Sequence, residues 1–153
     1  MNVTITSRQR ARKINRRLLK QITAALLADL KIEKVELDIH LVATPEMTHL
    51  NEKFLRHAGS TDVITFDYSV PGDQTPDARR QLHGEIFVCV DEAVLQARKF
   101  GTSWQSETVR YIIHGILHLL GFDDSSAADR RKMKREENRR LRAIARRFPL
   151  SKL

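Results

Sequence analysis

Two periods govern the apolar positions of this chain. Val35-Glu-Leu-Asp-Ile-His-Leu-Val42 alternates apolar and polar residues and predicts a strand with one wet face. Val3–Thr6 alternates in the same way over a shorter run. Val63–Phe66 and Gly84–Val90 read as third and fourth strands, the latter apolar enough to be central. Elsewhere the spacing is helical. Ile14, Leu18, Ile22, Ala25, Leu26 and Leu30 mark the buried stripe of a helix that Ser7 can cap and that runs to about Leu30. Thr44-Pro45-Glu46 has the form of an N-cap with proline at the first helical position, opening a short helix to about Leu55. Asp91 can cap Glu92–Phe100, which Gly101 ends. Ser103 or Ser106 opens a helix through Leu120, and Ser125 or Ser126 opens a last one through about Arg147, before Pro149. Pro71, Gly72, Asp73 and Pro76 mark a loop between Asp67 and Gln81. Strands gathered ahead of paired helices predict an α+β fold rather than repeating βαβ units. The length suits one domain over residues 1–153.

The helix ending near Leu120 carries the chemistry. In His114-Gly-Ile-Leu-His118-Leu-Leu-Gly-Phe-Asp-Asp124, two imidazoles four residues apart share a helix face, roughly 5–6 Å apart at Cβ. Both can reach one divalent ion at the ~2.0–2.1 Å of a zinc–nitrogen bond. Gly121 tolerates the positive φ that folds a chain back after a helix, which returns Asp123 and Asp124 toward the histidines. Two core histidines satisfied by ordinary neighbours are the alternative. The adjacent break and the two carboxylates weigh against it, as does the cost of burying imidazoles unpaired. The metalloprotease motif His-Glu-x-x-His is absent, since Gly115 stands where its glutamate would be. Peptide hydrolysis by that route is therefore disfavoured. Phosphodiester chemistry, which a divalent metal and arginines can support, remains open.

Charge adds a partner. The formal net charge is +8 and the pI about 10.1, which points to a polyanion, with nucleic acid ahead of an acidic membrane. The last helix holds Arg130, Arg131, Lys132, Lys134, Arg135, Arg139, Arg140, Arg142, Arg146 and Arg147, with few acids between them. Arg8, Arg10, Arg12, Lys13, Arg16, Arg17 and Lys20 crowd the first. With so few aromatics, backbone contact outweighs base stacking. Cys89 lies in an apolar run and reads as a buried thiol in a reducing compartment. No stretch is apolar enough for a membrane span or a secretory signal, so a cytoplasmic location is expected.

These motifs resemble the YbeY family of bacterial endoribonucleases and ribosomal-RNA maturation factors. The histidine run is similar to the family pattern His-Gly-x-Leu-His-Leu-x-Gly-x-Asp-His. In the same order, Leu50-Asn51 with Arg56, Thr61-Asp62-Val63-Ile64-Thr65-Phe66, Gly84-Glu85-Ile86, and Met133 with Glu137 resemble other family elements, over about residues 35–140. The resemblance implies a single α+β domain with a four-stranded mixed sheet, about five helices, a zincin-like metal-site helix and one Zn2+. It implies metal-dependent cleavage of single-stranded RNA in maturation of the small-subunit ribosomal RNA and in ribosome quality control. Partners would be that RNA and the small subunit or one of its proteins. His114 and His118 match metal ligands, and Arg56 matches a functional arginine in the cleft. Arg56 and His114 are thus the expected catalytic residues.

The chain departs from the pattern at the third ligand, where the family has histidine and this chain has Asp124. Aspartate ligates zinc at about 2.0–2.2 Å, and its charge shifts preference toward harder metals. The expected set is His114, His118 and Asp124, with Asp123 as the other possibility. A non-catalytic ribosome-assembly factor with a structural metal is the alternative function. Asp62 could orient a ligand histidine or cap a turn, and His57 and His83 read as exposed loop residues.

Overall fold

The computed structural model describes residues 1–70, 72 and 81–153. Four strands form one mixed sheet: β1 (Asn2–Arg8), β2 (Lys34–Val42), β3 (Val63–Asp67) and β4 (Gln81–Cys89), in the order β1-β2-β4-β3. β1 and β4 run parallel to β2, and β3 runs antiparallel to β4. Five α-helices accompany the sheet among the described residues: α1 (Arg16–Asp29), α2 (Thr44–Leu50), α3 (Val90–Phe100), α4 (Trp104–Leu119) and α5 (Ala127–Arg147).

Strand alternation sorts the side chains into two clusters. Val35, Leu37, Ile39 and Leu41 of β2 and Ile86 and Val88 of β4 join the large core with Leu19, Ile22, Leu26 and Leu27 of α1 and Ile112, Ile113, Ile116 and Leu117 of α4. Val42, Ile64, Phe87 and Cys89 form a smaller cluster with Met47 of α2. Cys89 is a buried free thiol, and burial pushes its pKa up. Gly115 explains how α4 comes so close to β4. A Cβ there would meet two carbons of Ile86 at 2.9 Å.

The N-terminal region departs from expectation. β1 continues through Ser7 and Arg8, and α1 begins only at Arg16. Ser7 caps nothing. It lies in the ladder opposite Leu41, while Arg8 pairs with Glu46 at 2.7 Å. Asn15 is the cap, its side chain accepting from the Leu18 N–H at 3.0 Å. The buried stripe also rotates. Leu19 and Leu27 are fully buried, whereas Ile14, Leu18, Ala25 and Leu30 pack at the margin. Nor do Thr44 and Asp91 cap their own helices. They bond each other, Asp91 Oδ2 accepting from the Thr44 N–H at 2.7 Å and its hydroxyl at 3.0 Å, which ties α2 to α3. The helix after Thr44 ends at Leu55 as expected, its last turn a π-helix over Asn51–Leu55. β4 runs from Gln81 to Cys89, so His83 is a strand residue rather than a loop one. Most of the expected 67–81 loop lies outside the described residues.

Candidate metal centre

α4 opens at Ser103, whose hydroxyl oxygen accepts from the Ser106 N–H at 3.1 Å. It closes in a Schellman turn. The Phe122 N–H donates to the Leu117 carbonyl at 3.0 Å and the Gly121 N–H to that of His118 at 2.9 Å, with Gly121 at φ +97°. An L side chain rarely adopts that φ, so glycine permits the reversal. The turn sets Asp123 and Asp124 beside the last histidine.

The two aspartates divide the work. Both oxygens of Asp123 are committed to the turn: Oδ1 accepts from the N–H groups of Asp124 (2.7 Å) and Ser125 (3.2 Å), and Oδ2 from the Ser125 hydroxyl (2.6 Å). The Ser125 hydroxyl and these two amides hold its carboxyl below the usual range. Asp124 points inward. Its Oδ2 lies 3.3 Å from His118 Nε2 and 3.6 Å from His114 Nε2, and the two Nε2 atoms are 2.9 Å apart.

Glu137 of α5 fixes the His114 ring from behind, its Oε2 3.1 Å from Nδ1. Beside a buried carboxylate, Nδ1 carries the proton. The Nε2 lone pair is then left facing His118 and Asp124. Burial alone would lower the His114 pKa. The Glu137 hydrogen bond, with the negative charges of Glu137, Asp62 and Asp124, outweighs it, and the pKa is raised. Glu137 is itself steadied by Arg110, whose guanidinium lies 3.8 Å away and donates to Asn138 Oδ1 at 2.8 Å.

Three atoms that can each offer an electron pair, within 3.6 Å of one another, fit a divalent cation. Atoms so spaced can all lie at the ~2.0–2.2 Å of zinc–nitrogen and zinc–oxygen bonds. The Asp124 side chain is 44% exposed, which leaves one side of the triangle open to solvent or substrate. Gly115 points away from this triangle into Ile86, so this helix has no room for the metalloprotease glutamate.

The remaining candidates make no hydrogen bond to that triangle among the described residues. Arg56 is exposed in the left-handed region at φ +55°, at the end of the π-helical turn, and its side chain makes no hydrogen bond or ion pair among the described residues. Asp62 takes the turn reading. Its Oδ1 accepts from the Val63 N–H at 2.9 Å, a turn cap, yet its charge also acts on His114. The residue that orients the histidine is Glu137. Sequence reasoning matched it to a family position without a role, because it lies 23 residues away inside the basic helix. His57 and His83 are exposed, His83 edge-on to Tyr68.

The family model described as Endoribonuclease YbeY matches residues 2–145. An endoribonuclease YbeY of Azobacteroides pseudotrichonymphae is 35% identical over 133 residues, covering 87% of each chain. That of Salinibacter ruber is 35% identical over 109 residues, covering 69% of each. A solution structure of a Thermotoga maritima protein superimposes with a TM-score of 0.62 at 24% identity, over 94% of this chain and 89% of the other, which shows the shared fold. With a family model spanning both the sheet and the histidine helix, the chain belongs to the endoribonuclease YbeY family.

Proposed function

We propose that this protein is a metal-dependent endoribonuclease that cuts single-stranded RNA in maturation of the small-subunit ribosomal RNA. The convergence of His114, His118 and Asp124 on one point, in a chain of this family, carries the reading. These three side chains would hold the ion, with Zn2+ the first candidate and the aspartate favouring a harder metal more than a third imidazole would. A divalent cation there supplies Lewis-acid chemistry, polarising a phosphoryl oxygen and acidifying water. Glu137 holds the proton on His114 Nδ1 and so keeps Nε2 available. Arg56 is assigned to phosphate binding, where a guanidinium fork offsets charge on non-bridging oxygens.

α5 supplies the wider surface for the nucleic acid. Arg130, Arg131, Lys132, Lys134, Arg135, Arg139, Arg142, Arg146 and Arg147 are exposed along it. Of its acids, Glu137 faces inward and Glu136 is paired with Arg139 at 3.0 Å. The proposed partners are ribosomal RNA and the small subunit, and the proposed location is the cytoplasm. Among the described residues no helix is long and apolar enough to cross a membrane.

The test is incubation of zinc-loaded protein with single-stranded and duplex RNA, alongside His114→Ala and Asp124→Ala. Cleavage confined to single strands and lost in both variants is expected. Undiminished cleavage by His114→Ala refutes the proposal. Asp124 at the family's histidine position favours a second reading, an assembly factor whose ion is structural. Bound zinc with no cleavage under several metals would select it.

A further inference from the structure

Next to the metal centre lies a cavity of about 340 Å³, within the ~300–1,000 Å³ common for small-ligand sites. His114 and Glu137 form one wall, and neither His118 nor Asp124 lines it. Asp62, Glu107 and Tyr111 line it as well, with Arg110 and Lys134 as its cations. Three carboxylates thus face two cations in a chain whose net charge is +8, so the cavity lacks the positive excess of the rest of the surface.

The polar groups in this cavity are unevenly used. Arg110 is occupied by Asn138 and Glu137, and Glu137 by His114. Glu107, 7% exposed, accepts one bond from the Thr102 hydroxyl at 2.8 Å. Asp62 spends Oδ1 on Val63 and Thr61, while its other oxygen has no partner among the described residues. Tyr111 is 5% exposed, and its hydroxyl is sealed from water with no hydrogen-bond partner among the described residues. Buried hydroxyls are rarely left so. The negative charges of Asp62 and Glu107 reach this hydroxyl and, after burial itself, raise its pKa, so the phenol holds its proton and can donate it.

The occupant that fits is neutral, offers N–H donors to carboxylates, and carries an acceptor beside them for the Tyr111 hydroxyl. Resting on the nuclease reading for its source, we infer that this cavity receives a nucleobase bearing an exocyclic amino group, from a nucleotide flanking the cleaved phosphate. The amino group of adenine, cytosine or guanine donates to Asp62 or Glu107, and a neighbouring ring nitrogen or carbonyl accepts from Tyr111 once its ring turns the sealed hydroxyl into the cavity. Uracil offers a carboxylate one ring N–H, set between two carbonyls, where an amino group offers two hydrogens, so it is disfavoured.

The experiment titrates the full-length, zinc-loaded chain with adenosine, cytidine, guanosine and uridine, followed by amide shifts. Nucleosides lack phosphate and so report the cavity rather than the cationic surface. Shifts at Thr102, Glu107 and Tyr111 are expected with the three amino-bearing nucleosides, with uridine at least about fivefold weaker. Tyr111→Phe should weaken the first three about five- to tenfold while amides remote from the cavity keep their positions. Asp62→Asn keeps the oxygen that caps Val63 but offers an N–H2 group, and should move the ranking toward uridine. Equal binding of all four, or wild-type behaviour in both variants, overturns the inference. Mapping cut ends in a random single-stranded RNA separates the two claims. Cleavage without a bias at either flanking position sinks the cavity assignment alone. Nucleoside ranking without any cleavage sinks the nuclease reading and with it the flanking nucleotide as source, and leaves only the cavity's preference for amino-bearing bases standing.

Discussion

Replacing Glu137 tests whether the metal centre is held from behind. Its carboxylate, with the side chain 9% exposed, sits 3.1 Å from His114 Nδ1 and fixes both the ring and the position of its proton. Loss of such a partner typically lowers metal affinity 10–100-fold, or about 1.4–2.7 kcal/mol. Glu137→Gln can still accept from Nδ1–H but has lost its charge, so it should fall near tenfold. Glu137→Ala also frees the ring and should approach a hundredfold. Competition for zinc against a chromophoric chelator reads both directly. The pH dependence carries a sign that checks the cause. Zinc requires neutral His114, and Glu137 raises the pKa of that residue, so protons compete with zinc in the wild type at a higher pH than for an ordinary imidazole, about 6.5. Removing the charge lowers that pKa. The gap between wild type and Glu137→Gln should therefore be full at alkaline pH and narrow as pH falls. Equal affinities at alkaline pH, or a gap that widens in acid, would refute the reasoning.

Four further outcomes follow from other parts of the fold. A Cβ at Gly84 would meet the Phe66 carbonyl at 2.5 Å and a Leu119 methyl at 2.9 Å. Gly84→Ala should thus cost about 1–3 kcal/mol in urea unfolding. At Gly115→Ala the nearest atoms are those of the Ile86 side chain rather than backbone, and about 1 kcal/mol of helix propensity is regained, so it should cost less. The reverse order would contradict the packing argument. Tyr68 donates to Glu85 at 2.5 Å, which pushes its pKa up to about 12, and Tyr111 is raised further by burial, so an absorbance titration should show neither of the two tyrosines ionised at pH 10. The same bond, with that from His40, lowers the Glu85 pKa. Its stabilisation is present above the ordinary glutamate value of about 4.3 and lost as pH falls through the lowered one, so Tyr68→Phe should matter at neutral pH and cease to matter in strong acid. For single-stranded RNA, each phosphate contact contributes about −0.7 to the slope of log affinity against log salt. Neutralising Lys132, Arg135 and Arg139 of α5 should flatten that slope, and an unchanged slope would remove α5 from the interface.

Local signals made the histidine helix legible. Ser103, the i, i+4 imidazoles and Gly121 each act within one or two turns, and the structure uses each as spacing predicts. Where local and long-range preferences conflict, the long-range partner wins. Ser7 has the chemistry of a cap, but β1 gains a parallel ladder on β2 and an ion pair between Arg8 and Glu46 by staying extended. Asp91 likewise satisfies Thr44 on another helix. Glu137 was invisible as a positioning residue for the same reason. Nothing in a basic stretch with sparse apolar residues marks one acid as inward-facing until α5 packs on α4.

That packing also explains why one helix serves two opposite electrostatic needs. α5 turns Met133, Glu137 and Ile144 inward, at spacings of four and seven, and its cations outward. The buried carboxylate is tolerable because His114 and Arg110 meet it. The outer cations repel one another less once extended along 21 residues of helix and set against solvent. The RNA proposed to lie on the outer face would then reach a centre whose own groups, Asp124 and Glu137, are acidic. Without a cation between His114, His118 and Asp124, that last step would set phosphate against carboxylate. On the nuclease reading, this charge pattern favours a positive ion at the triangle, which would meet the phosphate in place of bare carboxylates.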